Sequence, residues 1–309
     1  MSLTQRIAII GECMIELKQV NGQLEQGFGG DSLNTAVYFS RLTRQQGITA
    51  HYVTGMGKDP FSTSMVNAWQ KESISTDLVH ISDTHLPGIY SIENTPDGER
   101  QFYYWRSDSA AKYWLREIST EELLAHFGQK SLIYLTGISL AILPDDCRDK
   151  LLACLKQCRR DGVKIAFDNN YRSGLWPNRE QAQQCYRNIL SITDMAFLTF
   201  EDECMLWGDS EEQHTLNRTR SFGVDEIIIK RGALPCIVAN QEEQWQVAAQ
   251  SISNIVDTTA AGDSFSAAYL ARRLLGASAI DAAMAGHTLA GSVIQHRGAI
   301  IPHASMPTL

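Results

Sequence analysis

Ile255-Val256-Asp257-Thr258-Thr259-Ala260-Ala261-Gly262-Asp263-Ser264-Phe265-Ser266-Ala267-Ala268-Tyr269-Leu270 decides how this chain is read. Two alanines and a glycine precede an acid, and beyond it Phe265, Ala268 and Tyr269 recur at helical spacing, so a strand end is expected to turn sharply into a helix. The first N–H groups of a helix have no partner within it and carry partial positive charge, and small residues let an anion reach them. The amides of Ala260, Ala261, Gly262 and Asp263 thus read as a phosphate cradle. At its mouth Asp263 is a candidate to accept a proton from a substrate hydroxyl while the amides stabilise a transferring phosphoryl group. The same acid also suits a plain helix N-cap, and the local sequence leaves both readings standing.

Outward from the cradle the chain has a β/α rhythm. Apolar runs at 132–135, 163–167 and 195–198 read as strands, with helices expected over 144–160 and 179–192. Pro144, Asp145 and Asp146 suit a helix start, and Gly162 suits a helix end. Such alternation predicts an α/β fold with a mostly parallel central sheet flanked by helices. Residues 7–11 read as a buried strand that delivers Glu12 to the carboxyl edge of the sheet, where ligands of open α/β sheets collect. Asp168-Asn169-Asn170-Tyr171-Arg172 follows another such strand. The strand at 226–232 ends in Lys230-Arg231-Gly232, a basic pair that suits nucleotide phosphates or ordinary surface charge. An antiparallel pair is expected at 236–239 and 244–247, and His287 falls in the last long helix, where a lone histidine is usually structural.

Two segments read as strands outside that sheet. Residues 13–28 alternate loosely, and 89–93 with 101–106 flank the turn Thr95-Pro96-Asp97-Gly98. Period-2 alternation puts Phe102, Tyr104 and Arg106 on one face, and Tyr90 with Ile92 on one face of the partner strand. An aromatic face with one guanidinium suits a carbohydrate that bears a carboxylate; it equally suits a core or subunit contact. Between these segments Gly29-Gly30 opens a helix, and Asn34, one turn in, is a candidate for a sugar hydroxyl. Gly57-Lys58 lacks the spacing of a Walker A loop.

The chain has 309 residues, 44% of them hydrophobic and 20% charged, enough for one domain (1–309) with a sizeable core and a lid inserted from about 13–28 and 87–107. A formal charge of −8 argues against a nucleic-acid binder, which needs a basic face. Seven cysteines without a C-x-x-C pair form no disulfide framework and suit a cytoplasmic protein. No apolar run reaches ~18 residues, so no membrane partner is expected. No G-x-G-x-x-G follows the first strand, which weighs against a dinucleotide dehydrogenase.

Gly29-Gly30 with Asn34, Asp168-Asn170-Arg172 and Asp257-Thr258-Thr259-Ala260-Ala261-Gly262-Asp263, in that order, resemble the ribokinase/PfkB carbohydrate-kinase superfamily over essentially the whole chain. Gly11-Glu12-Cys13-Met14-Ile15-Glu16-Leu17, Tyr103-Tyr104-Trp105-Arg106, Ser139-Leu140-Ala141-Ile142-Leu143 and Gly298-Ala299-Ile300-Ile301-Pro302 resemble its sugar-acid kinases.

The resemblance implies a ribokinase-like three-layer core with a small β-sheet lid, and transfer of the ATP γ-phosphate to a terminal hydroxyl of a sugar acid. It implies Asp263 as catalytic base and Ala260, Ala261 and Gly262 as anion hole. It implies Gly29, Gly30, Asn34, Tyr90, Tyr104, Arg106, Asn170 and Arg172 as substrate contacts, with the two arginines on the carboxylate. Asp168, Lys230, Gly232, Gly262 and His287 fall where the family holds ATP. Mg2+ is implied, and a monovalent cation is admitted. The family's anion hole begins with glycine where this chain has Ala260. Its Asn-x-x-Glu segment, which orders Mg2+, falls on Thr199-Phe200-Glu201-Asp202, leaving Glu201, Asp202 and Glu203, with Asp168, as candidate carboxylates. A kinase for a neutral sugar such as fructose or ribose, and a non-catalytic sugar or nucleotide sensor, are the alternatives. Exposed aromatic lid strands would pair with a second copy, giving a homodimer or an assembly of dimers.

Overall fold

The computed structural model describes residues 5–20, 22–94 and 100–309; the expected turn at 95–98 lies outside them. The strands are β1 (Arg6–Ile10), β2 (Met14–Val20), β3 (Gln23–Gly29), β4 (Thr49–Met56), β5 (Val79–Ile81), β6 (Ile89–Asn94), β7 (Arg100–Trp105), β8 (Leu132–Thr136), β9 (Lys164–Asp168), β10 (Met195–Thr199), β11 (Glu226–Arg231), β12 (Leu234–Ala239) and β13 (Gln244–Val247). The α-helices are α1 (Asp31–Thr43), α2 (Pro60–Lys71), α3 (Trp114–Glu117), α4 (Thr120–Phe127), α5 (Gly137–Ala141), α6 (Asp145–Arg160), α7 (Arg179–Leu190), α8 (Phe200–Trp207), α9 (Glu212–Ser221), α10 (Ala261–Leu274) and α11 (Ala279–Val293).

Nine strands form the main sheet in the order β13-β12-β11-β10-β9-β8-β1-β4-β5. It is parallel from β11 to β5, and β12 and β13 add an antiparallel edge. A sheet covered on both faces needs strands apolar on both, and β8 is buried throughout. Alternate residues serve opposite layers. Ile7, Ile9 and Tyr134 pack with α1, α2, α10 and α11, while Ala8, Ile10 and Leu135 pack with α4, α6, α7 and α9. The result is the expected three-layer α/β core.

The second sheet, β3-β2-β6-β7, pairs β2 with β6 in parallel and is otherwise antiparallel. Register sets Tyr90 opposite Tyr104. The two glycines joining β3 to α1 are needed by packing. A Cβ on Gly29 would lie 2.0 Å from the Tyr90 hydroxyl, and one on Gly30 2.2 Å from the Glu12 carbonyl oxygen.

The strand expected to end at 255–258 does not form. The N–H groups of Val256 and Asp257 donate to the Ile294 carbonyl (2.8 and 3.1 Å), just past α11. The Asp257 carboxylate accepts from the Thr259 N–H and hydroxyl (3.0 and 2.6 Å) and from the Gly298 N–H (2.8 Å). The segment is therefore tied to the C-terminal part of the chain, and among the described residues no neighbouring strand supplies a ladder.

Candidate active site

A cavity of about 460 Å3 lies between the carboxyl ends of the main-sheet strands and the inner face of the small sheet. Two helices aim their first turns into it. Asp263 occupies the third residue of α10, so it is not the N-cap; that position falls to Ala260, in the left-handed region at φ 61°. Asn34, in the first turn of α1, donates through Nδ2 to Asp263 Oδ2 at 2.8 Å. Enclosure pushes the Asp263 carboxyl up to about 7, the facing Asp31 carboxylate pushes the same way, and the Asn34 hydrogen bond opposes both. A carboxylate poised near neutrality suits a general base. Of the loop amides, that of Ala261 already donates to the Thr258 carbonyl at 3.2 Å. Among the described residues the Ala260 and Gly262 amides have no backbone acceptor and are left to meet an anion.

On the lid side, Tyr90 and Tyr104 stack with ring centroids 6.0 Å apart. The Tyr90 hydroxyl donates to Glu16, which also lines the cavity. Arg106 reaches in from the end of β7 but is engaged: its Nη2 contacts the buried carboxylate of Glu12. Arg172, half exposed, donates to the Tyr171 carbonyl at 2.7 Å and lies 3.5 Å from Asp202. Asn170 commits its side-chain amide to Asp31 at 2.7 Å, a carboxylate that Thr136 also binds at 2.7 Å. Glu16 and Asp31 had no role in the sequence reading. For Glu16 the signal was period 2, since Met14 and Glu16 both face the cavity. For Asp31 it was an acid directly after the glycine pair.

A second cavity of about 220 Å3 shares Thr199, Lys230, Ala261 and Gly262 with the first. Gly232, at φ 60° in the turn after β11, and His287 line it, as does Glu201. His287 Nε2 donates to the Val247 carbonyl at 2.9 Å, and burial holds the imidazole below its usual pKa. Lys230 forms a buried ion pair with Asp168 at 2.7 Å, and Ser266 donates to the same Asp168 oxygen at 3.0 Å. Of the metal candidates, Asp202 lines the first cavity and Glu201 the second. Glu203 is turned away: it is buried against Arg218 at 2.6 Å and accepts from Asn169 at 2.9 Å. Among the described residues no three His, Cys, Asp or Glu side chains are arranged to hold a metal by themselves.

The chain is 52% identical to a 2-dehydro-3-deoxygluconokinase of Dickeya dadantii over 307 residues, covering 98% of this chain and 99% of that one. It is 48% identical to the enzyme of that name from Escherichia coli K12, over 99% and 100% of the two chains. It superposes on a fructokinase of Xylella fastidiosa with bound ATP at a TM-score of 0.83 and 20% identity, covering 99% and 96%. The pattern of the pfkB family carbohydrate kinases matches residues 4–306, and the chain belongs to that family.

Proposed function

We propose that the protein transfers the γ-phosphoryl group of ATP to the terminal hydroxyl of 2-dehydro-3-deoxygluconate (2-keto-3-deoxygluconate), giving the 6-phosphate and ADP. The observation that carries the chemistry is Asp263 in the cavity wall, in the first turn of α10 beside the Ala260 and Gly262 amides. The substrate class is supported by the names of the two close relatives and by Arg106 and Arg172 in the cavity wall.

Asp263 takes the proton as the hydroxyl oxygen attacks the γ-phosphorus. The bond from that phosphorus to the bridging oxygen breaks, and the electron pair leaves with ADP. The helix-start amides and Lys230 offset the charge on the transferring oxygens. The fit of the nucleotide is supported by the joined second cavity and by Lys230, whose Nζ lies 3.4 Å from where a Cβ on Gly262 would sit. Bound Mg2+ would offset the charge of the phosphate oxygens; Asp202 and Glu201, which line the two cavities, would hold it through water. A neutral sugar is the second reading, favoured by the fact that Glu12 already occupies Arg106.

The outer face of the small sheet exposes Leu24, Tyr103 and Trp105 (70, 44 and 61%). We assign this face to a two-fold contact with a second copy of the chain. No helix among the described residues is long and apolar enough to cross a membrane, and seven free thiols support a cytoplasmic setting.

ADP release with 2-keto-3-deoxygluconate, beside gluconate, fructose and ribose, tests the substrate; exchanging K+ for a bulky cation in the same assay tests a monovalent-cation requirement. Preference for the keto-deoxy acid is expected. A neutral sugar turning over faster ends the sugar-acid assignment and leaves Asp263 as base.

A further inference from the structure

Glu12 stands two residues past the end of β1, and its side chain is 1% exposed. Among the described residues the cation that faces it is Arg106, itself 11% exposed; the Ser109 hydroxyl and the Asp31 carboxylate also face it. Among the described residues no well-aligned hydrogen bond to a third group draws on either Glu12 oxygen, or on Nε or Nη2 of Arg106. Gly88 makes the room: a Cβ there would lie 3.0 Å from Glu12 Oε1 and 3.1 Å from Arg106 Cβ. On its other side Arg106 packs over Tyr104, with Cζ 5.9 Å from the ring centroid.

A buried carboxylate without a cation is costly, so Glu12 and Arg106 hold each other in place. Arg106 belongs to the small sheet and Glu12 to the core. Their contact therefore sets one wall of the cavity against the other, and it engages Nη2 of the guanidinium.

We propose, resting on the sugar-acid reading above, that Glu12 is a positioning residue for substrate recognition: its buried carboxylate holds Nη2 of Arg106 against the core, so that the guanidinium is kept in the cavity wall to meet a substrate carboxylate. A flexible arginine has rotamer freedom to lose when it is fixed on a ligand. Glu12 removes that freedom before the substrate arrives.

Two variants separate position from charge. Glu12→Asp keeps the charge and withdraws it by one methylene; Glu12→Gln keeps the length and one acceptor oxygen. Each is assayed with 2-keto-3-deoxygluconate and with the neutral analogue carrying a hydroxymethyl group in place of the carboxylate. Glu12→Asp is expected to raise KM for the acid on the order of tenfold or more, with kcat, KM for ATP and KM for the neutral analogue little changed. Adding Arg106→Ala to Glu12→Asp should then cost little more than Arg106→Ala alone. A merely structural role would depress kcat for both substrates and leave the acid-to-neutral ratio where it was. If Arg106→Ala lowers that ratio and neither Glu12 variant does, the positioning role is overturned. If Arg106→Ala itself leaves the ratio unchanged, the carboxylate-clamp reading fails and takes this role with it. Should Glu12→Asp not fold, the ratio measured with Glu12→Gln decides.

Discussion

The side-chain amide of Asn34 donates to Oδ2 of Asp263 at 2.8 Å, joining the first turns of two helices whose residues lie 229 positions apart. That bond orients the carboxylate of a residue that lines the cavity. Asp263→Asn is expected to lower kcat on the order of 10²–10⁴-fold while binding of the sugar acid survives. Turnover near the parent value, measured by ADP release, would remove Asp263 from the role of base.

Titration follows from the same carboxyl. Its pKa is raised to about 7, and a base works only when deprotonated. In the free enzyme kcat/KM should therefore fall below about pH 7, by roughly tenfold per unit at the acid limit. The stability sign is opposite to that of an ordinary salt-bridged carboxylate. The folded state holds this proton more tightly than the unfolded chain, so ionising Asp263 destabilises the fold as pH rises. Asp263→Asn should melt above the parent at pH 8, with the gap narrowing toward pH 5; a gap that widens on acidification would contradict the raised pKa.

Ala260 sits at φ 61°, where a side chain is disfavoured by about 1–2 kcal/mol. Ala260→Gly removes that strain but frees the unfolded chain by about 0.4–1 kcal/mol, so the net effect should be a stabilisation between about 0 and 1.6 kcal/mol. Turnover should persist. Ala260→Val puts a β-branched residue at the same dihedral and should displace the cradle amides, seen as lost kcat together with raised KM for ATP. Parent-like kinetics in the valine variant would show that the loop amides do not bind phosphate.

Lys230 is the cation paired with buried Asp168. Lys230→Met strips the carboxylate of its partner and should cost on the order of 3–5 kcal/mol in denaturant unfolding, besides raising KM for ATP. Lys230→Met combined with Asp168→Asn should recover much of the stability and none of the nucleotide affinity. Recovery of both would place Lys230 in the scaffold alone.

Arg172 is half exposed and only loosely held by Asp202 at 3.5 Å, so a ligand can redirect it at little cost. Arg172→Ala should weaken binding of the keto-acid more than of its neutral analogue, measured by calorimetry with each. Equal losses would argue that Arg172 shapes the loop after β9 and does not meet a carboxylate.

The β/α rhythm, the three-layer core and the start of α10 were legible in the residues because each is set within a few positions. Apolar period, Pro144 before α6 and small residues before Asp263 act through bonds and contacts that close inside one turn or one strand. Side-chain partners are decided by whatever distant segment arrives beside them. Nothing around Arg106 announced Glu12, nothing around Asn170 announced Asp31, and Glu203, one residue from Asp202, is drawn away by Arg218. The segment at 255–257 has the look of a strand, yet the carbonyl of Ile294 takes its amides. By itself the sequence determined which chemical groups the chain carries and how its elements repeat. Only the tertiary structure decided which charges neutralise one another and which remain for a ligand, because pairing and burial depend on distances in space that separation along the chain does not encode.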